Sequence, residues 1–159
     1  MSRRPSQLAL GLDPGAKLQS WQDGAPLPCL GRTLVLRLTG MAAEAVRIDD
    51  ELHLPLPPAA GERQVRDAGE AWLRREAWTL FAQTIMRLSA AAARPAPALR
   101  LSFARRGHWT TSTDDGALQC NWRLVEQPPD VIEQVISRAL RSHWARPVFA
   151  AAPDLFAIQ

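Results

Sequence analysis

The sequence predicts an α+β fold, and three observations carry that expectation. A proline-free run from Glu62 to about Ala93 places apolar residues at three- and four-residue steps, the period of an amphipathic helix. Short segments in which apolar and polar residues alternate stand on both sides of that run, the period of half-buried strands. A second amphipathic run then follows the pair Pro128-Pro129. At 159 residues, the chain matches one domain, since chains of about 100–200 residues usually fold around a single core.

Residues 1–20 mix Pro, Gly, Ser and Gln with weak periodicity and read as a tail or extended edge segment, which leaves 21–159 as the domain. From Trp21 the pattern tightens. Asp23-Gly24 is a turn signal, and Thr33 to Leu38 alternates as a strand opening near Gly31. Val46-Arg47-Ile48 and Leu52 to Leu56 form a further pair, separated by the acidic turn Asp49-Asp50-Glu51. Taken together, these strands suggest a small meander.

The long helix carries Val65, Ala68, Trp72, Leu80, Phe81, Ile85 and Leu88 on one face and Arg66, Asp67, Glu70, Arg74 and Arg87 on the other. That mixed face reads as a solvated surface with local ion pairs. Arg94-Pro95-Ala96-Pro97 stops the helix, because proline lacks an amide donor and restricts the residue before it. Leu99 to Phe103 and Ala117 to Trp122 are the next strands, the second preceded by the turn Asp114-Asp115-Gly116. Pro128-Pro129-Asp130 opens the last helix, whose apolar face is Val131, Ile132, Val135, Ile136, Ala139 and Leu140, and which ends before Pro147. The aromatic residues Trp72, Trp78, Phe81, Trp109 and Trp122 read as core, since large rings dominate burial in a small domain.

Composition narrows the functional classes. Apolar residues are 47% and charged residues 22%, so a packed core is available and wholesale disorder is excluded. No stretch approaches the roughly 20 consecutive apolar residues that span a bilayer, and no signal-type block follows the N-terminus, so a cytoplasmic protein without membrane partners is expected. Cys29 and Cys120 lack metal-type spacing and are expected to remain thiols. The net charge of +3 does not by itself indicate a nucleic-acid protein. Lys17 is the only lysine among 19 basic residues, a skew that genome composition explains as readily as phosphate binding.

Motifs for the common chemistries are missing. Neither GxxxxGK[ST] nor GxGxxG occurs, and His53, His108 and His143 stand in no recognisable nucleophile motif. Neither a CxxC nor an HxxxH pair is present to seed a zinc site.

Six segments nonetheless carry a specific pattern. His108 to Gly116 has the length of an RWGSCSxxG segment and keeps Trp109 and Gly116; Asn121-Trp122-Arg123-Leu124 stands intact; and Pro128-Pro129-Asp130-Val131-Ile132 follows it. Upstream stand Leu30-Gly31-Arg32-Thr33-Leu34, Leu54-Pro55-Leu56-Pro57 and Trp72-Leu73-Arg74-Arg75. In this order they resemble the YgjP-like metallohydrolases, relatives of the SprT-type zinc metallopeptidases (DUF45-type), over about Trp21 to the C-terminus. The resemblance implies a zincin-like, minigluzincin-type domain with a small sheet, one long helix and a second helix bearing an HExxH zinc motif. In that motif two histidines one turn apart bind the metal and the glutamate is the general base.

Those three family positions fall here on Arg138, Ala139 and Ser142. Arg138 brings a permanent positive charge, Ala139 cannot accept a proton, and Ser142 is a poor zinc ligand. The family's third histidine, in an NHxxxFW segment, has no counterpart in Ala145-Arg146-Pro147-Val148-Phe149. The resemblance therefore implies a degenerate member that folds without zinc, holds no cofactor, and acts by binding, with peptide, protein or nucleic acid as the partner. Arg105, Arg106, Arg123, Arg138, Arg141 and Arg146 are the binding candidates, against the alternative that they pair with Asp114, Asp115, Glu126, Asp130 and Glu133. The competing expectation is a working hydrolase with a different site, for which His143 would have to meet Glu133 or Asp154 and a third ligand.

Overall fold

A computed structural model describes residues 19–40 and 43–147. The segment read as a tail and the stretch holding Val148, Phe149 and Asp154 lie outside these residues, apart from Gln19 and Ser20.

The structure is α+β, with two small mixed sheets and two helices, consistent with a small zincin-like fold. The first sheet comprises β1 (Pro26–Cys29), β2 (Arg32–Leu38), β3 (Val46–Ile48) and β4 (Glu51–Leu54), in the order β1-β2-β4-β3. The small meander expected from the sequence is corrected here: β2 runs parallel to β4, and β3 sits outside β4 as an antiparallel edge. Burial explains the order. β4 buries Leu52 and Leu54 completely and belongs in the middle, while Val46 and Ile48 of β3 are 45% and 53% exposed and belong at a rim. β1 has no counterpart in the sequence reading.

The long helix α1 (Glu62–Ala91) buries Val65, Gly69, Trp72, Leu73, Ala77, Phe81, Thr84, Ile85 and Ser89, a stripe of three- and four-residue steps. At its start the side-chain Oε1 of Gln64 accepts from the Gly61 amide at 3.1 Å, one arm of a capping box. At its end Ala93 turns left-handed at φ 51°, two residues before Pro95. Trp78, grouped with the core by sequence, is instead 49% exposed: it falls one position past Ala77, off the buried stripe.

The second sheet is β5 (Leu99–Ser102), β6 (Thr110–Ser112) and β7 (Leu118–Asn121), in the order β5-β7-β6. β7 is central, parallel to β5 and antiparallel to β6, with Leu118, Cys120 and Asn121 buried. A 3-10 turn over Trp122–Glu126 follows, with the Asn121 side chain accepting from the Arg123 amide at 3.0 Å as its cap. This turn ties the sheets together, because the β1–β2 turn donates Leu30 N to Val125 O at 2.8 Å and Gly31 N to Glu126 O at 3.0 Å.

Gly31 is required at that junction. Its φ of 72° lies in the left-handed region, and a Cβ there would stand 2.9 Å from the Pro128 Cα that precedes α2 (Pro129–Ala145). α2 buries Ile132, Ile136 and Leu140 against the core and crosses to α1 through the Arg87–Glu133 ion pair at 2.7 Å.

Candidate functional site

A pocket of about 350 Å³ opens between β6 and α2. One wall is the chain leading into and along β6: His108, Trp109, Thr110, Thr111 and Ser112. The other is α2, which contributes Val131, Gln134 and Val135 and then Arg138, Ala139 and Ser142; Leu118 of β7 also lines it. Residues four apart on a helix share a face, so Arg138 and Ser142 stand one turn apart along the same wall, with Ala139 beside them. The three positions singled out by sequence therefore lie together in one cavity.

The chemistry of these side chains does not fit zinc. A guanidinium repels a cation, a methyl offers no donor and a neutral hydroxyl is a weak one. Among the described residues, no group of three or more His, Cys, Asp or Glu side chains lies together as a metal set. His143 does not line the pocket; it is half-buried near the end of α2, and its Nδ1 hydrogen-bonds with Ser112 Oγ at 3.2 Å. Glu133 precedes it by ten residues, about 15 Å along a helix axis, and faces Arg87. His53 hydrogen-bonds with Glu51 at 3.0 Å on strand β4, where Arg37 on β2, at 3.0 Å, holds the Glu51 carboxyl below its usual range.

Of the six candidate arginines, only Arg138 lines the pocket. Arg123 lies over the Trp122 ring at 4.7 Å and reaches Glu126 at 3.5 Å. Arg74 approaches the same ring at 5.5 Å and pairs with Glu70 at 2.9 Å. Burial pushes the Glu126 carboxyl above its usual range, against the nearby Arg123, and Glu70 pushes in the same direction. Arg146 donates to the Thr113 carbonyl oxygen at 3.4 Å, and Arg105, Arg106 and Arg141 are exposed. Asp115 takes up the Thr113 hydroxyl and Arg100, which together hold its carboxyl below the usual range, the hydroxyl first. Asp115 and Glu133 are thus already engaged, and neither lines the cavity.

Two features of the pocket escaped the sequence reading. Strand β6 is only three residues long, too short for alternation to mark, although its β-branched Thr110-Thr111 pair is a weak strand signal. Trp109, read as core, is only half-buried and lines the pocket; its indole Nε1 is buried without a hydrogen-bond partner in the described structure.

Two mixed sheets, a long helix and a second helix lining a pocket with the Arg138, Ala139 and Ser142 positions define a metallopeptidase-like α+β domain. The family model for the YgjP-like, metallopeptidase domain matches residues 8–137, most of the chain, and the chain belongs to that family. The match begins inside the segment read as a tail and ends immediately before Arg138. Neither the curated proteins nor the solved structures give a match. No helix among the described residues is long and apolar enough to cross a membrane.

Proposed function

We propose that this chain is a non-catalytic, cofactor-free member of the YgjP-like family that binds a peptide in the β6–α2 pocket. The observation that carries this reading is the content of the pocket: Arg138, Ala139 and Ser142 line it together, and none supplies a metal ligand of ordinary strength or a general base. A peptide fits better than a nucleic acid. Nucleic-acid surfaces set several cations along a phosphate track, whereas among the described residues one arginine lines this pocket and Arg123 is engaged with Trp122 and Glu126. The pocket also borders β6, the outer strand of its sheet, an edge along which an extended peptide can run. Two buried free cysteines agree with a reducing, cytoplasmic setting.

Restoring the family residues tests this reading. The variant Arg138→His, Ala139→Glu, Ser142→His places two imidazoles one turn apart on the pocket wall and is expected to bind zinc at least tenfold more tightly than the natural chain in a competitive chelator titration. Equal zinc affinity for the two proteins, with ordinary zinc-protein strength, would overturn the proposal.

A further inference from the structure

Away from the pocket, the chain leaving β5 carries an exposed ring on a braced platform. Phe103 is 60% exposed, and the Arg74 guanidinium lies over it at 5.1 Å. The same guanidinium lies over Trp122 at 5.5 Å, and that of Arg123 lies over Trp122 at 4.7 Å, so Phe103, Arg74, Trp122 and Arg123 are linked in series. Trp122 is buried in the core, which leaves Phe103 as the open end. The backbone beneath is fixed by one side chain: the buried Asn121 donates from Nδ2 to the Ala104 carbonyl oxygen at 2.7 Å, while its Oδ1 accepts from the Arg123 amide at 3.0 Å. Glu70 and Glu126 pair with Arg74 and Arg123. Arg105 and Arg106, which follow Ala104, are exposed, and among the described residues neither makes an ion pair. Pairing thus offsets the inner two arginines and leaves the outer two charged beside the ring.

We propose that this surface binds single-stranded nucleic acid, with a base stacked on Phe103 and backbone phosphates on Arg105 and Arg106. A single strand presents planar bases and anionic oxygens in alternation, and an exposed ring beside guanidinium groups answers both. An acidic peptide supplies the charge without the planar face, and a duplex keeps its base faces stacked away from the protein. The surface lies apart from the β6–α2 pocket, and the proposal does not depend on what that pocket holds.

Fluorescence anisotropy of a labelled thymidine decamer, titrated with the full chain, tests this against an abasic strand of equal length and a decaglutamate peptide. The thymidine strand is expected to bind saturably and about fivefold or more tighter than the abasic strand, the effect of one stacked base. Two phosphate contacts on a single strand predict an affinity about sevenfold lower at 200 mM salt than at 50 mM. Phe103→Ala is expected to erase the preference over the abasic strand and Phe103→Trp to keep it, which separates stacking from a loss of fold. Replacing both Arg105→Gln and Arg106→Gln is expected to weaken binding and reduce the salt dependence, whereas Arg141→Gln, which removes a charge from an exposed position of α2, leaves both unchanged. The abasic comparison needs no variant and stands even if one of them unfolds. No binding of the thymidine strand, equal binding of the abasic strand or the peptide, an unaltered salt dependence in the double-arginine variant, or an equal loss in Arg141→Gln would each overturn the inference.

Discussion

At the residue scale, burial sets the chemistry of the reactive side chains away from the pocket. Cys29 and Cys120 are both buried, and desolvation pushes their thiols up to about 11 and about 12, so neither holds appreciable thiolate near neutral pH. Nucleophilic chemistry and redox signalling by either sulfur are thereby disfavoured in the folded chain. Ellman's reagent at pH 8 is expected to leave both thiols of the native protein unmodified over the time in which the denatured chain titrates two. Prompt labelling of either thiol in the native state would contradict this account. Glu126 follows the same logic. Its carboxyl is raised by burial, so the folded chain holds that proton more tightly than the unfolded one, and stability falls as pH climbs from the ordinary carboxylate value through the raised one.

At the element scale, the junction of α1 with the chain entering β1 shows packing overriding propensity. Gly69 lies within α1, where glycine costs about 1 kcal/mol relative to alanine, yet a Cβ there would stand 2.7 Å from the ring carbon Cζ3 of the buried Trp21. Overpacking costs about 1–3 kcal/mol, so it outweighs the helical gain. Gly69→Ala is expected to destabilise by about 1 kcal/mol, and the same substitution in a Trp21→Ala background is expected to stabilise by up to about 1 kcal/mol. Urea unfolding of the four proteins checks this, and an identical effect in both backgrounds would contradict it. The elements that were legible in sequence are α1, α2, β2, the short pair β3 and β4, and the central β7 with its partner β5. β1 was illegible because Pro26 and Pro28 argue against a strand, and they are tolerated since β1 lies at the sheet edge. The parallel pairing of β2 with β4 was illegible because adjacency in sequence suggests a meander. Only the complete burial of Leu52 and Leu54, beside the exposure of Val46 and Ile48, shows which strand takes the centre.

At the scale of the whole molecule, the candidate site was readable in one respect and not in another. Counting along the last helix placed the three family positions on Arg138, Ala139 and Ser142, and the fold brings these residues together on one pocket wall. How the six arginines are arranged depends on the loops and the rotation of α2, which periodicity does not fix; the structure places Arg138 in the cavity and Arg123 in a separate stack with Arg74 around Trp122. The core joins both sheets, α1 and α2 in a continuous apolar cluster that includes Leu27, Leu36, Leu54, Phe81, Leu118 and Ile136. Burying each such side chain contributes about 1.5–3 kcal/mol, so folding has a driving force that does not depend on a metal. We propose that the domain keeps the family's framework while its pocket holds a ligand in place of a catalytic metal. Metal analysis of the purified full chain, as isolated and again after zinc loading and desalting, distinguishes the two. Metal far below one atom per chain in both samples, with no rise in melting temperature on adding zinc, is the result predicted; one tightly held zinc per chain would contradict it.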